Sequence, residues 1–384
     1  MPFKPVTELE MPKGVSLRSL TFGDDGHILI TGNNDHNVRV WDVTTLVWAD
    51  QPRRDMVDGS AVLCVGSGRG FIGMVPFSKT YEGIVTGIMN TAAFPLDHPI
   101  KSVAYDSVLR RIVAASHFEQ IKVYRVLASN TLEPLWQAAS CNHIPIGLVF
   151  WGPQNDKIIA TLLQSGDITC YSSATGAIEW CKRLSGAIGG SALSQDSSKL
   201  LVNNLTTNNF DLFSFPDIIK LRTFTIPETS TSHKIKMGIF AGISNELVLC
   251  GSLHDKVYLF DSVTGACLGG LHHGKEAHSK PVQMLASHHK HLHVFASGSS
   301  GKICIWKDVV LPTERPKNAV ETKGTFTLLG LLTDTRFLVI LLGLHVTYST
   351  WYPYASQVYH IAVYPSITWL NNFYHSIVAY ISAA

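Results

Sequence analysis

Short runs rich in β-branched residues, each ending in an aromatic or bulky apolar side chain, return along the chain at a nearly constant interval. They read Val38-Arg39-Val40-Trp41, Ile72-Gly73-Met74-Val75, Ile121-Lys122-Val123-Tyr124, Ile168-Thr169-Cys170-Tyr171, Phe210-Asp211-Leu212-Phe213, Val257-Tyr258-Leu259-Phe260 and Ile303-Cys304-Ile305-Trp306. Their end residues lie 34, 49, 47, 42, 47 and 46 positions apart. A period in this range marks one supersecondary unit used repeatedly, and such a unit buries its faces only against its neighbours.

Two further strand-like segments precede each run. In the first unit they are Leu17 to Phe22 and His27 to Thr31, with a turn over Asn33-Asn34-Asp35-His36-Asn37. In the last unit Val282 to Ala286 and His293 to Ser297 repeat the plan. Asn, Asp, Gly and Ser supply the turns, as tight hairpins require. No helical period is sustained before residue 325, so the repeat is all-β.

At this point the chain resembles the WD-repeat family. The first unit carries Ile30-Thr31-Gly32-Asn33-Asn34-Asp35-His36-Asn37-Val38-Arg39-Val40-Trp41-Asp42, and the last carries Ala296-Ser297-Gly298-Ser299-Ser300-Gly301-Lys302-Ile303-Cys304-Ile305-Trp306. The resemblance implies a seven-bladed β-propeller of four-stranded antiparallel blades over residues 3–310. It also implies a chain of Trp, Ser or Thr, His and Asp that satisfies a buried indole N–H, which needs an acceptor. On this sequence the matching structural residues are Thr31, Asp35, Trp41 and Asp42 in the first unit, and Ser297, Trp306 and His278 in the last. His98 falls at the same histidine position. The middle units end in Tyr124, Tyr171, Phe213 and Phe260, and the unit around Cys64 to Phe77 is the weakest copy.

A ring needs its last blade completed, which in this family the N-terminal strand usually does. Pro5 to Leu9 is a strand candidate before the first full unit, so nothing beyond about Asp308 is needed for closure. The composition changes just there. From Thr325 to Ala384 the only charged residues are Asp334 and Arg336, which sets off a linker over 311–324 and an apolar, aromatic-rich tail over 325–384. Phe326 to Val346 is long enough to span a bilayer. Its two charges cost about 2.5–3.5 kcal/mol each at a helix centre, partly offset by about 0.3–0.6 kcal/mol per large aliphatic residue. Three readings of the tail stand: a membrane anchor, an apolar extension packed on the propeller or a partner, and an unordered or wrongly translated segment.

Other patterns point to ordinary structure. His288-His289-Lys290-His291-Leu292-His293 invites a metal, yet no Cys or carboxylate completes a ligand set within it, and a solvated hairpin turn is expected. Gly66-Ser67-Gly68-Arg69-Gly70 looks like a phosphate loop, but Phe71 to Val75 reads as a strand where a helix is required. Gly189-Gly190-Ser191-Ala192 does not complete G-x-S-x-G. Lys13, Arg18, Arg39, Arg53, Arg54, Arg69, Arg110 and Arg111 are scattered, and the formal charge is only +2, so no nucleic-acid signal emerges and these side chains are expected in solvent. The seven cysteines form no C-x-x-C pair and suit a reducing, intracellular setting, cytoplasmic or nuclear.

The expectation is a non-catalytic scaffold or adaptor that binds other proteins through blade loops on one rim, with no catalytic, cofactor or metal residues. An alternative is the same propeller tethered to a membrane through 326–346, for instance in trafficking. A propeller enzyme is less favoured, because no constellation of acid, base and nucleophile converges.

Overall fold

A computed structural model of the chain describes residues 3–23, 26–43, 60–78, 83–84, 89–138, 141–227, 234–242, 245–273, 281–288, 294–299 and 301–308. They belong to one compact unit, Met1–Leu311; Pro312–Ala384, with the tail and the 326–346 segment, lies outside the described residues. Among the described residues no helix is long and apolar enough to cross a membrane.

The strands fall into seven antiparallel sheets. The chain opens with β1 (Phe3–Glu10) and then forms the blade-one strands β2 (Leu17–Phe22), β3 (Ile28–Asn33) and β4 (Val38–Asp42). Blade two contains β5 (Ser60–Gly66), β6 (Phe71–Ser78) and β8 (Met89–Ala92); between the last two, β7 (Gly83–Ile84) pairs back onto β4 as the outer strand of blade one. Blade three is β9 (Ile100–Asp106), β10 (Arg111–Ser116), β11 (Ile121–Val126) and β12 (Leu132–Gln137). Blade four is β13 (Pro145–Trp151), β14 (Lys157–Leu162), β15 (Asp167–Ser172) and β16 (Ile178–Arg183). Blade five is β17 (Ile188–Leu193), β18 (Lys199–Asn204), β19 (Asn209–Ser214) and β20 (Lys220–Phe224). Blade six is β21 (Gly238–Ala241), β22 (Leu247–Gly251), β23 (Lys256–Asp261) and β24 (Cys267–His272). Blade seven is β25 (Met284–Ser287), β26 (Val294–Ser299) and β27 (Lys302–Asp308), with β1 as its outer strand. The seven sheets and the closure by the N-terminal strand are as the repeat predicts. Six sheets have four strands, and the weakest sequence copy gives three described strands.

Position in the sheet explains the residue pattern. The middle strands have both faces covered and are apolar almost throughout: Arg111–Ser116 and most of Lys157–Leu162 are buried. Outer strands alternate, as in Ile178–Arg183 and Phe3–Glu10, because one edge and one face meet water. Seven apolar clusters fill the seven spaces between neighbouring blades, including Leu20, Leu29 and Ile305 between blades one and seven. The ring is therefore closed by packing as well as by the β1–β27 ladder, in which Phe3 lies opposite Asp308 and Glu10 opposite Lys302. Phe3 is 3% exposed, and its ring meets Phe295 edge-on at 5.0 Å.

The hairpins between second and third strands repeat one device. Each places a residue at positive φ: His36, Gly70, Glu119, Gln164, Asn208, Asp255 and Gly301. Tight antiparallel turns need that left-handed conformation. At Gly70 a side chain is also sterically excluded, since a Cβ there would lie 2.7 Å from the Pro95 carbonyl oxygen. The Gly66–Gly70 segment is thus a hairpin turn leading into a strand, as its sequence context predicts.

Candidate functional site

The two best repeat copies build their indole networks differently. In blade one Trp41 Nε1 donates to Thr31 Oγ1 at 3.2 Å, and Trp41 is only half-buried. Among the described residues Asp35 is hydrogen-bonded to no histidine. Its carboxylate takes Arg39 Nη1 at 3.2 Å and Nη2 at 2.5 Å, and accepts from the Asn37 backbone N–H at 3.2 Å. The Arg39 guanidinium holds that carboxyl well below the usual carboxylate range. Asp42 ends the strand opposite Ile28.

In blade seven Trp306 is 2% exposed and donates to Ser297 Oγ at 2.6 Å. Ser297 is in turn hydrogen-bonded to Nε2 of His273, whose Nδ1 lies 3.6 Å from Cys304 Sγ. The histidine assigned here from sequence was His278, which lies outside the described residues; the imidazole on Ser297 is that of His273, just after β24. Burial pushes the His273 pKa down to about 4 and the Cys304 thiol up to about 12. His98 builds no such chain: its ring packs on Phe118 with centroids 4.2 Å apart, and its buried Nδ1 has no hydrogen-bond partner among the described residues. The middle blades dispense with the network. Phe213 and Phe260 are buried and carry no polar atom, while the Tyr124 hydroxyl donates to the Ala93 carbonyl at 2.9 Å.

The innermost strands share a second repeated feature. In β2, β9, β13 and β17 the register slips by one residue near the first paired position, which leaves Arg18, Lys101, Ile146 and Gly189 as the extra residues. A β-bulge of this kind re-aims a side chain at the end of a strand. Arg18 and Lys101 are exposed. The β5–β6 turn is pinned beside Lys101, since the Ile100 amide donates to the Ser67 carbonyl at 3.0 Å. The same face carries Leu96, 68% exposed, and Phe118, 51% exposed, on the loop before β9 and the β10–β11 hairpin.

Residues 3–42 and 269–307 match the WD domain, G-beta repeat family. The chain carries WD repeats at its two ends and folds as a seven-bladed β-propeller, which is consistent with the WD-repeat propeller family. No curated protein matches it. The two matched segments are the end blades in which the Trp–Thr and Trp–Ser pairs form, and WD-repeat propellers are generally non-catalytic scaffolds that bind other proteins.

Two arginines expected in solvent are buried in this propeller. Arg39 is 8% exposed and clamps the blade-one turn through Asp35. Arg111, 7% exposed, reaches Asp106 Oδ2 through Nε at 3.0 Å and Nη2 at 2.9 Å. It also crosses to blade four, donating to Ser173 Oγ at 2.8 Å and to the Asn155 carbonyl at 2.7 Å. Asn155 Nδ2 returns a bond to Asp106 Oδ1 at 2.7 Å. Burial opposes ionisation of Asp106, but the bonds from Asn155 and Arg111 prevail and hold its pKa below the ordinary value. This clasp joins blades three and four. Arg53 and Arg54 lie outside the described residues.

The histidine tract is also partly corrected. His288 is 3% exposed and meets Phe22 edge-on at 6.3 Å, so it is core and not turn; residues 289–293 lie outside the described residues. A cavity of about 430 Å³ in blade four is lined by Cys141, Thr169, Tyr171 and Cys181 among others. Burial raises the Cys141 pKa, which leaves a protonated thiol and a poor nucleophile at neutral pH.

Proposed function

We propose that this propeller is a protein-binding scaffold whose working surface is the bulged face at the channel mouth. The observation that carries the reading is the pair of exposed apolar side chains, Leu96 and Phe118, on backbone held by hydrogen bonds to blades two and three. Gly70 O accepts from both the Ala93 and Phe94 amides, and the His117 amide donates to Pro99 O at 2.7 Å. Side chains displayed on such fixed loops bind with little ordering cost, and aromatic anchors dominate many interfaces. The unpaired thiols support an intracellular setting, cytoplasmic or nuclear.

The test is quantitative affinity capture from native extract with the wild-type chain and the Leu96→Asp/Phe118→Asp variant, both of equal thermal stability. Proteins retained by the first and lost by the second support the reading; an unchanged retained set refutes it. A second reading, a tether through 326–346, is favoured by the tail's two charges in sixty residues. It predicts that deleting 325–384 moves the protein from the membrane to the soluble fraction.

A further inference from the structure

The channel wall has an electrostatic asymmetry that the scaffold reading alone does not use. The innermost strands described, one in each of six blades, are β2, β9, β13, β17, β21 and β25. Their sequences are LRSLTF, IKSVAYD, PIGLVFW, IGGSAL, GIFA and MLAS. Three charged residues occur in all of them: Arg18, Lys101 and Asp106. Asp106 is 1% exposed and is neutralised by Arg111. The charge that the described wall offers to a visitor is thus entirely positive, and both cations are bulged residues at the strand ends on one face.

Arg69 adds a third. Its turn is bonded to Ile100, the residue before Lys101, so the two lie on one small platform. Among the described residues, none of the three side chains takes part in an ion pair or a side-chain hydrogen bond, and all three are exposed. By contrast Arg39, Arg111, Arg125 and Arg183 are each matched to a carboxylate. Of the acidic residues nearby, Asp97 and Glu119 sit on loops and not on the wall, and Asp35, on the turn bonded to Ser16, is taken up by Arg39. Unpaired like charges on one face raise the local potential and favour an anionic partner there.

Resting on the scaffold reading, we propose that the partner of this face presents a short acidic peptide segment, seated over the channel mouth and read by Arg18, Lys101 and Arg69. Two guanidinium groups suit carboxylates because each can donate two parallel bonds, while Lys101 supplies a point charge. Leu96 and Phe118 would take the apolar residues flanking the acidic run.

The test uses the full chain and fluorescein-labelled hexaglutamate, followed by fluorescence anisotropy at low ionic strength. Hexalysine and a Gly-Ser hexapeptide serve as comparators, and an oligothymidylate as the nucleic-acid arm. Hexaglutamate is expected to bind, to weaken with added salt, and to lose about tenfold or more in affinity on Arg18→Glu/Lys101→Glu. Arg110→Glu, at the other end of β9, is expected to leave binding unchanged. Should the double reversal fail to fold, Arg18→Gln/Lys101→Gln replaces it, with the same direction and a smaller loss. Absence of hexaglutamate binding, indifference to the wall substitutions, or tighter binding of the oligothymidylate overturns the proposal. Partners lost on Leu96→Asp/Phe118→Asp but kept by the wall variant would leave the scaffold standing and remove the acidic ligand alone.

Discussion

His273 makes the stability of blade seven depend on pH, and the size of the effect follows from its burial. Trp306 has only a donor, so Ser297 Oγ accepts from the indole and has its own proton to give to His273 Nε2. That arrangement needs a neutral imidazole. Burial lowers the folded-state pKa to about 4, from 6.5 for the free side chain. Above pH 6.5 both folded and unfolded chains carry a neutral ring, and the group adds nothing. As the pH falls from 6.5 towards 4 the unfolded chain binds the proton first, so the folded state loses stability; below about 4 both are protonated and the loss levels off. A difference of about 2.5 units corresponds to about 3 kcal/mol, full-scale, for a residue 1% exposed. The assay is urea unfolding, followed by tryptophan fluorescence across that range, of the wild type and His273→Gln. Carboxylates and other histidines titrate alike in both, so the gap between the two proteins isolates this one side chain. Wild type leads at neutral pH, and its lead shrinks by about 3 kcal/mol on acidification. A gap that stays constant with pH refutes the account of the network.

Two more outcomes follow from the packing. Trp306→Ala should cost about 3–5 kcal/mol, and Trp41→Ala roughly half that, because Trp41 is half-buried; chemical denaturation of the two variants checks the order. Arg111→Leu strands the Asp106 carboxylate between blades three and four and should cost about 3–5 kcal/mol, much of it regained in Arg111→Leu/Asp106→Leu, as a double-mutant cycle will show.

The repeat made the ring legible because each unit must end one strand in a side chain that fills the gap to the next blade. All seven such runs are strands, and their end residues, from Trp41 to Trp306, follow the predicted spacing. The β1 closure was legible for the same reason: a blade with three strands in sequence lacks an outer edge. The site was less so. His278 stands at a fitting distance before β25, but distance along the chain does not say which imidazole reaches Ser297 when the loop length varies; the pair His272-His273 at the strand's end was the available signal. Arg111 reads as one of many surface cations because its partners Asp106, Asn155 and Ser173 come from two blades. Nor does a sequence show that Arg18 and Lys101 are both extra residues in a ladder, since a bulge is a property of the pairing and not of either strand.

The pairing of Phe3–Glu10 with Lys302–Asp308 has a consequence for synthesis. β1 leaves the ribosome about three hundred residues ahead of its partner β27, so the growing chain must keep that β-prone segment idle until β27 emerges. Until then blade seven has a bare edge, and a neighbouring nascent chain can supply the missing strand in its stead.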